Sequence, residues 1–123
     1  MITETLVACL SWAPRWPQSE ALLTMAHHRI WKFRPPQGHE AEFAAAYGEA
    51  GDWARLFRNA PGFGGTRLLR PAEPGDWWLT IDRWDSSANF EAFSHVFGEK
   101  YRALDAKLES IAGEEEFVGA FED

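Results

Sequence analysis

The segment WWLTIDRWDS, residues Trp77–Ser86, carries the strongest fold signal in the chain. It follows a turn rich in proline and glycine and predicts a strand over Trp77–Trp84. Asp85-Ser86 then offers a helix N-cap, and the apolar spacing that follows predicts an amphipathic helix over Ser87–Ala112. The apolar stripe of this helix consists of Phe90, Phe93, Phe97, Tyr101, Leu104, Leu108 and Ile111.

The flanking segments supply the other elements. Alternating aromatic and β-branched residues predict a first strand over His28–Arg34, and a helical period follows over His39–Tyr47. Asp52 is a plausible N-cap for a second short helix. A strand from Phe63 to about Arg70 comes next, and Glu115–Phe121 is typical of a short final strand.

This order, β-α(α)-β-β-α-β, predicts an α+β fold of the ferredoxin-like type, with a four-stranded antiparallel sheet. The helices can cover only one face of that sheet. Seven Trp, nine Phe and two Tyr are many for 123 residues, so the other face also needs a cover. Two sheets facing each other across a two-fold axis would supply it, which predicts a homodimer in the form of a dimeric α+β barrel.

Composition excludes several classes of protein. A length of 123 residues suits one domain, and a net charge of −7 without a basic stripe argues against a nucleic-acid partner. No apolar run approaches the roughly 20 residues of a membrane span, so no membrane partner is expected. The single cysteine, Cys9, excludes an internal disulfide and a cysteine zinc site. Without a secretory signal pattern, we expect a cytoplasmic protein.

The first 26 residues show no sustained period and are expected to form an irregular extension to a domain over residues 27–123. Met25 stands just before the first predicted strand. Two explanations stay open: translation begins at Met25, or the stretch is a disordered arm.

Several motifs together resemble the antibiotic biosynthesis monooxygenase (ABM) family, over about Arg29 to Phe121. The most telling are Pro61-Gly62 before the second strand and Trp84-x-Ser86 before the last helix. The others are Gly51–Ala54 with Leu56-Phe57, Phe63–Thr66, Leu79–Arg83, Phe90–Phe93 and Tyr101–Asp105. The resemblance implies a dimeric α+β barrel. It also implies one of two activities: oxidation of polycyclic phenols to quinones by O2 without metal or flavin, or haem degradation.

Residue matching disfavours the haem activity. Counted from Trp84-x-Ser86, Phe93 occupies the position that resembles the tryptophan of the haem-degrading members. No histidine lies near residues 103–104, where the axial ligand would fall. His95 lies off the apolar stripe and is expected to face solvent.

The third strand supplies the principal catalytic candidate. Leu79 and Ile81 share one face, whereas Thr80, Asp82 and Trp84 share the other. If the first pair packs on the helices, the second set faces the barrel interior. An interior Asp82 would then have a raised pKa and could serve as a base.

Asp82 also has a purely structural interpretation. It could pair with an arginine of a neighbouring strand, such as Arg67 or Arg29, and hold the sheet together. Arg67 is the second catalytic candidate.

Five aromatic residues are candidates for substrate binding, with core packing as the alternative: Trp31, Tyr47, Trp53, Phe57 and Trp84. The helix break at Gly48 and Gly51 could act as a gate. No nucleotide, flavin or metal motif is present, so no cofactor or metal is expected. The sequence thus predicts a cofactor-independent monooxygenase for a phenolic or polycyclic aromatic substrate. The alternative is a non-catalytic dimeric barrel that binds an apolar small molecule.

Overall fold

The computed structural model describes residues 25–123, so the predicted N-terminal extension lies almost wholly outside the described residues. Four strands and three helices follow in the predicted order. They are β1 His27–Arg34, α1 Glu40–Tyr47, α2 Asp52–Phe57, β2 Phe63–Leu69, β3 Trp78–Trp84, α3 Ser87–Ala112 and β4 Glu114–Glu122. The bounds agree with the hydrophobic periods to within a few residues.

The four strands form one antiparallel sheet in the order β2-β3-β1-β4. This confirms the predicted ferredoxin-like α+β fold. Each of the two outer strands has one irregularity in its pairing. In the pairing of β2 with β3 the register shifts between Phe63 and Gly65 of β2, and in the pairing of β4 with β1 it shifts between Ile30 and Trp31 of β1. In the central strand β3, Asp82 lies opposite Thr66 of β2 and Arg29 of β1.

The long helix begins where the sequence predicts. Ser86 is extended, and its side chain accepts a hydrogen bond from the backbone N–H of Asn89 at 3.2 Å. The helix is kinked at Phe97, whose φ of −109° and ψ of 18° are not helical, immediately before Gly98.

The structure shows which face of β3 meets the helices, a point that the alternation of the strand left open, and it is not the face of Leu79 and Ile81. The opposite set faces the helices instead: Trp84 is fully buried, and its ring lies 5.6 Å from that of Phe57 and 5.3 Å from that of Phe93. Trp78, at the other end of the same set, is also buried. Because two tryptophans bury far more apolar area than a leucine and an isoleucine, they decide which face of the strand meets the helices.

The sheet face turned away from the helices is therefore the one that carries Leu79 and Ile81. Its rim includes Leu69 and Phe121, which are 38% and 48% exposed. No second chain is described, so the homodimer stays a prediction. Within residues 25–123, no helix is long and apolar enough to cross a membrane.

Candidate functional site

A cavity of about 40 Å³ lies between the helix-facing side of the sheet and the helices. Aromatic, hydroxyl and carboxyl side chains line it. They are Trp31, Phe33, Tyr47, Trp53, Phe57, Thr66, Thr80, Asp82, Tyr101, Asp105 and Glu115. The volume is enough for a few water molecules.

Asp82 lies on the sheet side of this cavity. Its Oδ1 accepts a hydrogen bond of 2.6 Å from the hydroxyl of Thr66, the residue opposite it on β2. Burial raises the pKa of Asp82 to about 6, although the Thr66 bond and the positive charge of Arg29 both favour the carboxylate and limit the rise. A carboxyl group with this pKa can accept a proton from a substrate near neutral pH.

Arg29, opposite Asp82 on β1, is held by aromatic rings. Its guanidinium carbon lies 3.9 Å from the centroid of Phe90 and 4.7 Å from that of Phe117. Burial lowers the pKa of Arg29, while Tyr101 and Asp82 oppose that change. Among the described ion pairs none joins Arg29 to Asp82, so the arginine acts on the carboxylate through its field without a direct contact.

Arg67, the other catalytic candidate, lies on the opposite face of the sheet. It pairs in register with Ile81, whereas its neighbour Thr66 pairs with Asp82. Its side chain is exposed and lines a groove with Ile30, Ile81 and Phe121. The structure does not bring Arg67 and Asp82 together, because adjacent residues of a strand point to opposite faces.

Four of the five aromatic candidates, Trp31, Tyr47, Trp53 and Phe57, line the cavity. The fifth, Trp84, packs behind Phe57 in the core and does not line it. Their role in binding stays a prediction.

Two polar groups in the aromatic wall have unusual environments. Burial raises the pKa of Tyr47 to about 12. The nearby Trp53 N–H opposes this rise by favouring the Tyr47 phenolate, but it does not meet hydrogen-bond geometry with Tyr47 or with any other described group. The buried Trp53 Nε1–H is therefore a donor without an acceptor, a state that costs free energy unless a ligand or water fills it.

Six residues that line the cavity were not among the sequence candidates for the site: Phe33, Thr66, Thr80, Tyr101, Asp105 and Glu115. Three of them, Tyr101, Asp105 and Glu115, come from the last helix and the last strand. Tyr101 belongs to the apolar stripe of α3, and Asp105 follows it by one turn on the same side of the helix. Glu115 stands opposite Phe33 on the edge strand β4. The i, i+4 spacing of Tyr101 and Asp105 was a signal in the sequence that could have placed these two residues on the same side of the helix. The position of Glu115 depends on strand pairing and had no such signal.

The cavity residues do not fit haem. No histidine lines the cavity in the described chain, and His95 is exposed on the outer side of α3, as the sequence predicts. In the same range of residues, no three His, Cys, Asp or Glu side chains converge as metal ligands.

Comparison with known proteins gives one family and several similar folds. The family model described as antibiotic biosynthesis monooxygenase matches residues 26–106. No curated protein matches the sequence significantly.

Three solved structures illustrate the fold similarity. SnoaB, a cofactor-independent oxygenase from Streptomyces nogalater, is 22% identical, with a TM-score of 0.56 over 79% of this chain and 91% of that chain. PA3566 from Pseudomonas aeruginosa is 13% identical, with a TM-score of 0.57 over 83% and 96%. A variant of MhuD with two manganese protoporphyrin IX molecules per active site is 24% identical, with a TM-score of 0.54 over 79% and 93%. At these identities the likeness shows a shared fold.

Proposed function

Because the chain belongs to the antibiotic biosynthesis monooxygenase family, we propose that it oxidises a hydroxyaromatic small molecule with O2 in the cavity between its sheet and its helices. The observation that carries this proposal is Asp82, a carboxylate with a pKa of about 6 inside an aromatic cavity. The similarity to SnoaB, described as a cofactor-independent oxygenase, supports a reaction without a cofactor.

The first step assigned to Asp82 is removal of the phenolic proton. The phenolate that forms is electron-rich enough to react with O2 directly, and aromatic walls keep water away from it. For a phenol with hydrogen at the para carbon, one oxygen atom enters that carbon and the other leaves as water. Phenol and O2 thus give a quinone and water, and the atoms and electrons balance.

Two groups stabilise the negative charge that develops on the substrate oxygen. We assign one role to the N–H of Trp53, a lining residue whose donor has no acceptor of good geometry in the described chain. We assign the other to Arg29, which does not line the cavity but lies opposite Asp82 and acts on it by its positive charge.

The cavity must widen to admit an aromatic ring. Tyr47 ends α1 and Trp53 lies in the first turn of α2, so the two wall residues stand on either side of the break between these helices. Gly51 in that break packs so closely that an added Cβ would collide with the carbonyl oxygens of Ala45 and Ala46. We assign the opening motion to this break, in which Gly51 permits a close approach of backbone.

We also propose that the protein works in the cytoplasm.

We further propose that two copies of this chain associate through the open sheet face, which gives the homodimer predicted from the sequence. The open face carries Ile30, Ile81 and Phe121 around a groove, and a second copy would cover these apolar side chains. The arrangement leaves the cavity on the helix side of each sheet.

A non-catalytic barrel that binds an apolar small molecule is the second candidate. The small volume of the cavity favours it, as does the absence of a cationic side chain from the described lining. In that case Asp82 and Thr66 are a structural pair across β2 and β3.

Oxygen uptake with a panel of one-ring and polycyclic phenols separates the two functions. We expect uptake by the wild-type protein and a loss of at least about 100-fold in Asp82→Asn, since a general base contributes on that scale. Asp76→Asn is the matched control, because Asp76 is an exposed aspartate in the turn before β3. Equal uptake by wild type and Asp82→Asn would remove Asp82 from the mechanism. No uptake with any phenol would favour the binding protein.

A further inference from the structure

The charged groups that line the cavity are all of one sign. Asp82, Asp105 and Glu115 contribute carboxylates, and no Lys, Arg or His of residues 25–123 lines it with them. Asp105 and Glu115 are exposed, so they form the mouth of the cavity, whereas Asp82 lies deeper. We call Asp105 and Glu115 the acidic mouth.

The two carboxylates of the acidic mouth act on each other and on the cavity. Partial burial raises the pKa of Glu115, and the negative charge of Asp105 raises it further. Asp105 also adds to the effect of burial in raising the pKa of Tyr101 inside the cavity. Negative charge at the mouth therefore opposes any second negative charge that forms within.

An independent observation points to a ligand with an oxygen atom deeper in the cavity. Trp53 is only 8% exposed and lines the cavity, and its Nε1–H meets hydrogen-bond geometry with no group of the described chain, although it lies near enough to the Tyr47 hydroxyl to favour the phenolate. A ligand hydroxyl or phenolate oxygen would satisfy this donor. Trp31, Tyr47 and Tyr101 line the same space, and aromatic rings attract positive charge at their faces.

We propose that the ligand of this cavity is a hydroxyaromatic amine whose ring and hydroxyl enter between the aromatic walls while its ammonium group lies at the acidic mouth. The claim that the ligand carries an aromatic hydroxyl rests on the proposed function, whereas the claim that it carries an ammonium group rests on Asp105 and Glu115. When Asp82 has taken the phenolic proton, the phenolate and the two carboxylates of the acidic mouth are all negative, and an ammonium on the same molecule supplies a countercharge.

Three one-ring probes of similar shape, each with hydrogen at the carbon para to the hydroxyl, test the charge preference: 3-hydroxyphenethylamine, 3-ethylphenol and 3-(3-hydroxyphenyl)propanoate. Binding is followed at neutral pH and low salt through tryptophan fluorescence, since Trp31 and Trp53 line the cavity. We expect the amine to bind about tenfold more tightly than the neutral phenol, and the carboxylate to bind most weakly. Added salt should reduce the advantage of the amine, because the mouth is exposed.

The double variant Asp105→Asn/Glu115→Gln keeps the size of both side chains and removes both charges. In it, we expect the amine and the neutral phenol to bind within about twofold of each other. Glu99→Gln is the matched control, because Glu99 is an exposed acid of α3 that does not line the cavity, and it should keep the tenfold preference. A preference that survives in the double variant would overturn the proposal.

The binding measurements and the oxygen-uptake measurements test the two proposals separately, so either proposal can be refuted while the other stands. If the amine binds preferentially and no hydroxyaromatic compound causes oxygen uptake, the ligand class stands and the oxygenase proposal falls. If neutral or anionic phenols bind as tightly as the amine and are oxidised as fast, the ligand class falls and the oxygenase proposal stands. Failure of all three probes to bind at millimolar concentration would also overturn the ligand class.

Discussion

Asp82→Asn should stabilise the fold, by an amount that depends on pH. In the wild-type protein the pKa of Asp82 is about 6, against a reference value of 3.8. The folded protein therefore holds this proton more tightly than the unfolded chain does, and ionisation of Asp82 lowers the free energy of unfolding as pH rises. The loss begins near the reference pKa and is complete above the folded one. At 1.36 kcal/mol per unit, its full size is about 3 kcal/mol.

Asparagine is neutral at every pH, so the variant avoids this loss, and its Oδ1 can still accept the hydrogen bond from Thr66. Linkage predicts a gain of only about 0.5 kcal/mol at pH 4 and of about 3 kcal/mol at pH 8. Urea denaturation of wild type and variant at both pH values measures the difference. Asp76→Asn, in an exposed turn, serves as the control and should change little at either pH.

A gain of the same size at pH 4 and pH 8 would mean that Asp82 does not titrate as its burial implies, and the assignment of a base would lose its physical basis. A gain confined to high pH, together with lost oxygen uptake, would show that the site holds a carboxylate at the expense of stability.

Three further changes test the surroundings of Asp82 and the open face. Thr66→Val removes the hydroxyl that favours the Asp82 carboxylate, so the pKa of Asp82 should rise by about 1 unit. In a pH–rate profile the acid limb should move to higher pH by the same amount, and an unshifted limb would contradict this. Arg29→Gln should also raise the pKa of Asp82, and loss of the contact with Phe90 should lower the free energy of unfolding by about 1 kcal/mol. Arg29→Lys should retain most of the charge effect on Asp82. Identical pH–rate profiles for the two variants would refute a charge effect. Ile81→Arg on the open face should convert a dimer to a monomer in sedimentation experiments and leave the helical circular dichroism unchanged. If the wild-type protein and the variant are both dimers, this face is not the interface.

Hydrophobic periodicity alone predicted the order of elements correctly. The stripe of α3 and the alternation of β1 are local patterns, and each finds its partner in the observed packing. The N-cap at Ser86 was equally readable, since its hydrogen bond reaches only three residues along the chain.

The orientation of β3 could not be predicted, because alternation shows which residues share a face but not which face meets the helices. That depended on comparing Trp78 and Trp84 with Leu79 and Ile81, and the tryptophans are the buried set. The position of Arg67 could not be read either, since it depends on the register between β2 and β3 beyond a bulge. Glu115 reaches the cavity only because β4 pairs with β1 from the far end of the chain.

The register shifts in β2 and β4 have a consequence for how the molecule meets others of its kind. Both are edge strands, and an edge with an uninterrupted ladder of free N–H and C=O groups is a template for adding further strands without limit. The irregularity near Gly64 breaks that ladder on one side, and the one near Val118 breaks it on the other. Growth of the sheet into fibrils is thereby hindered at both borders.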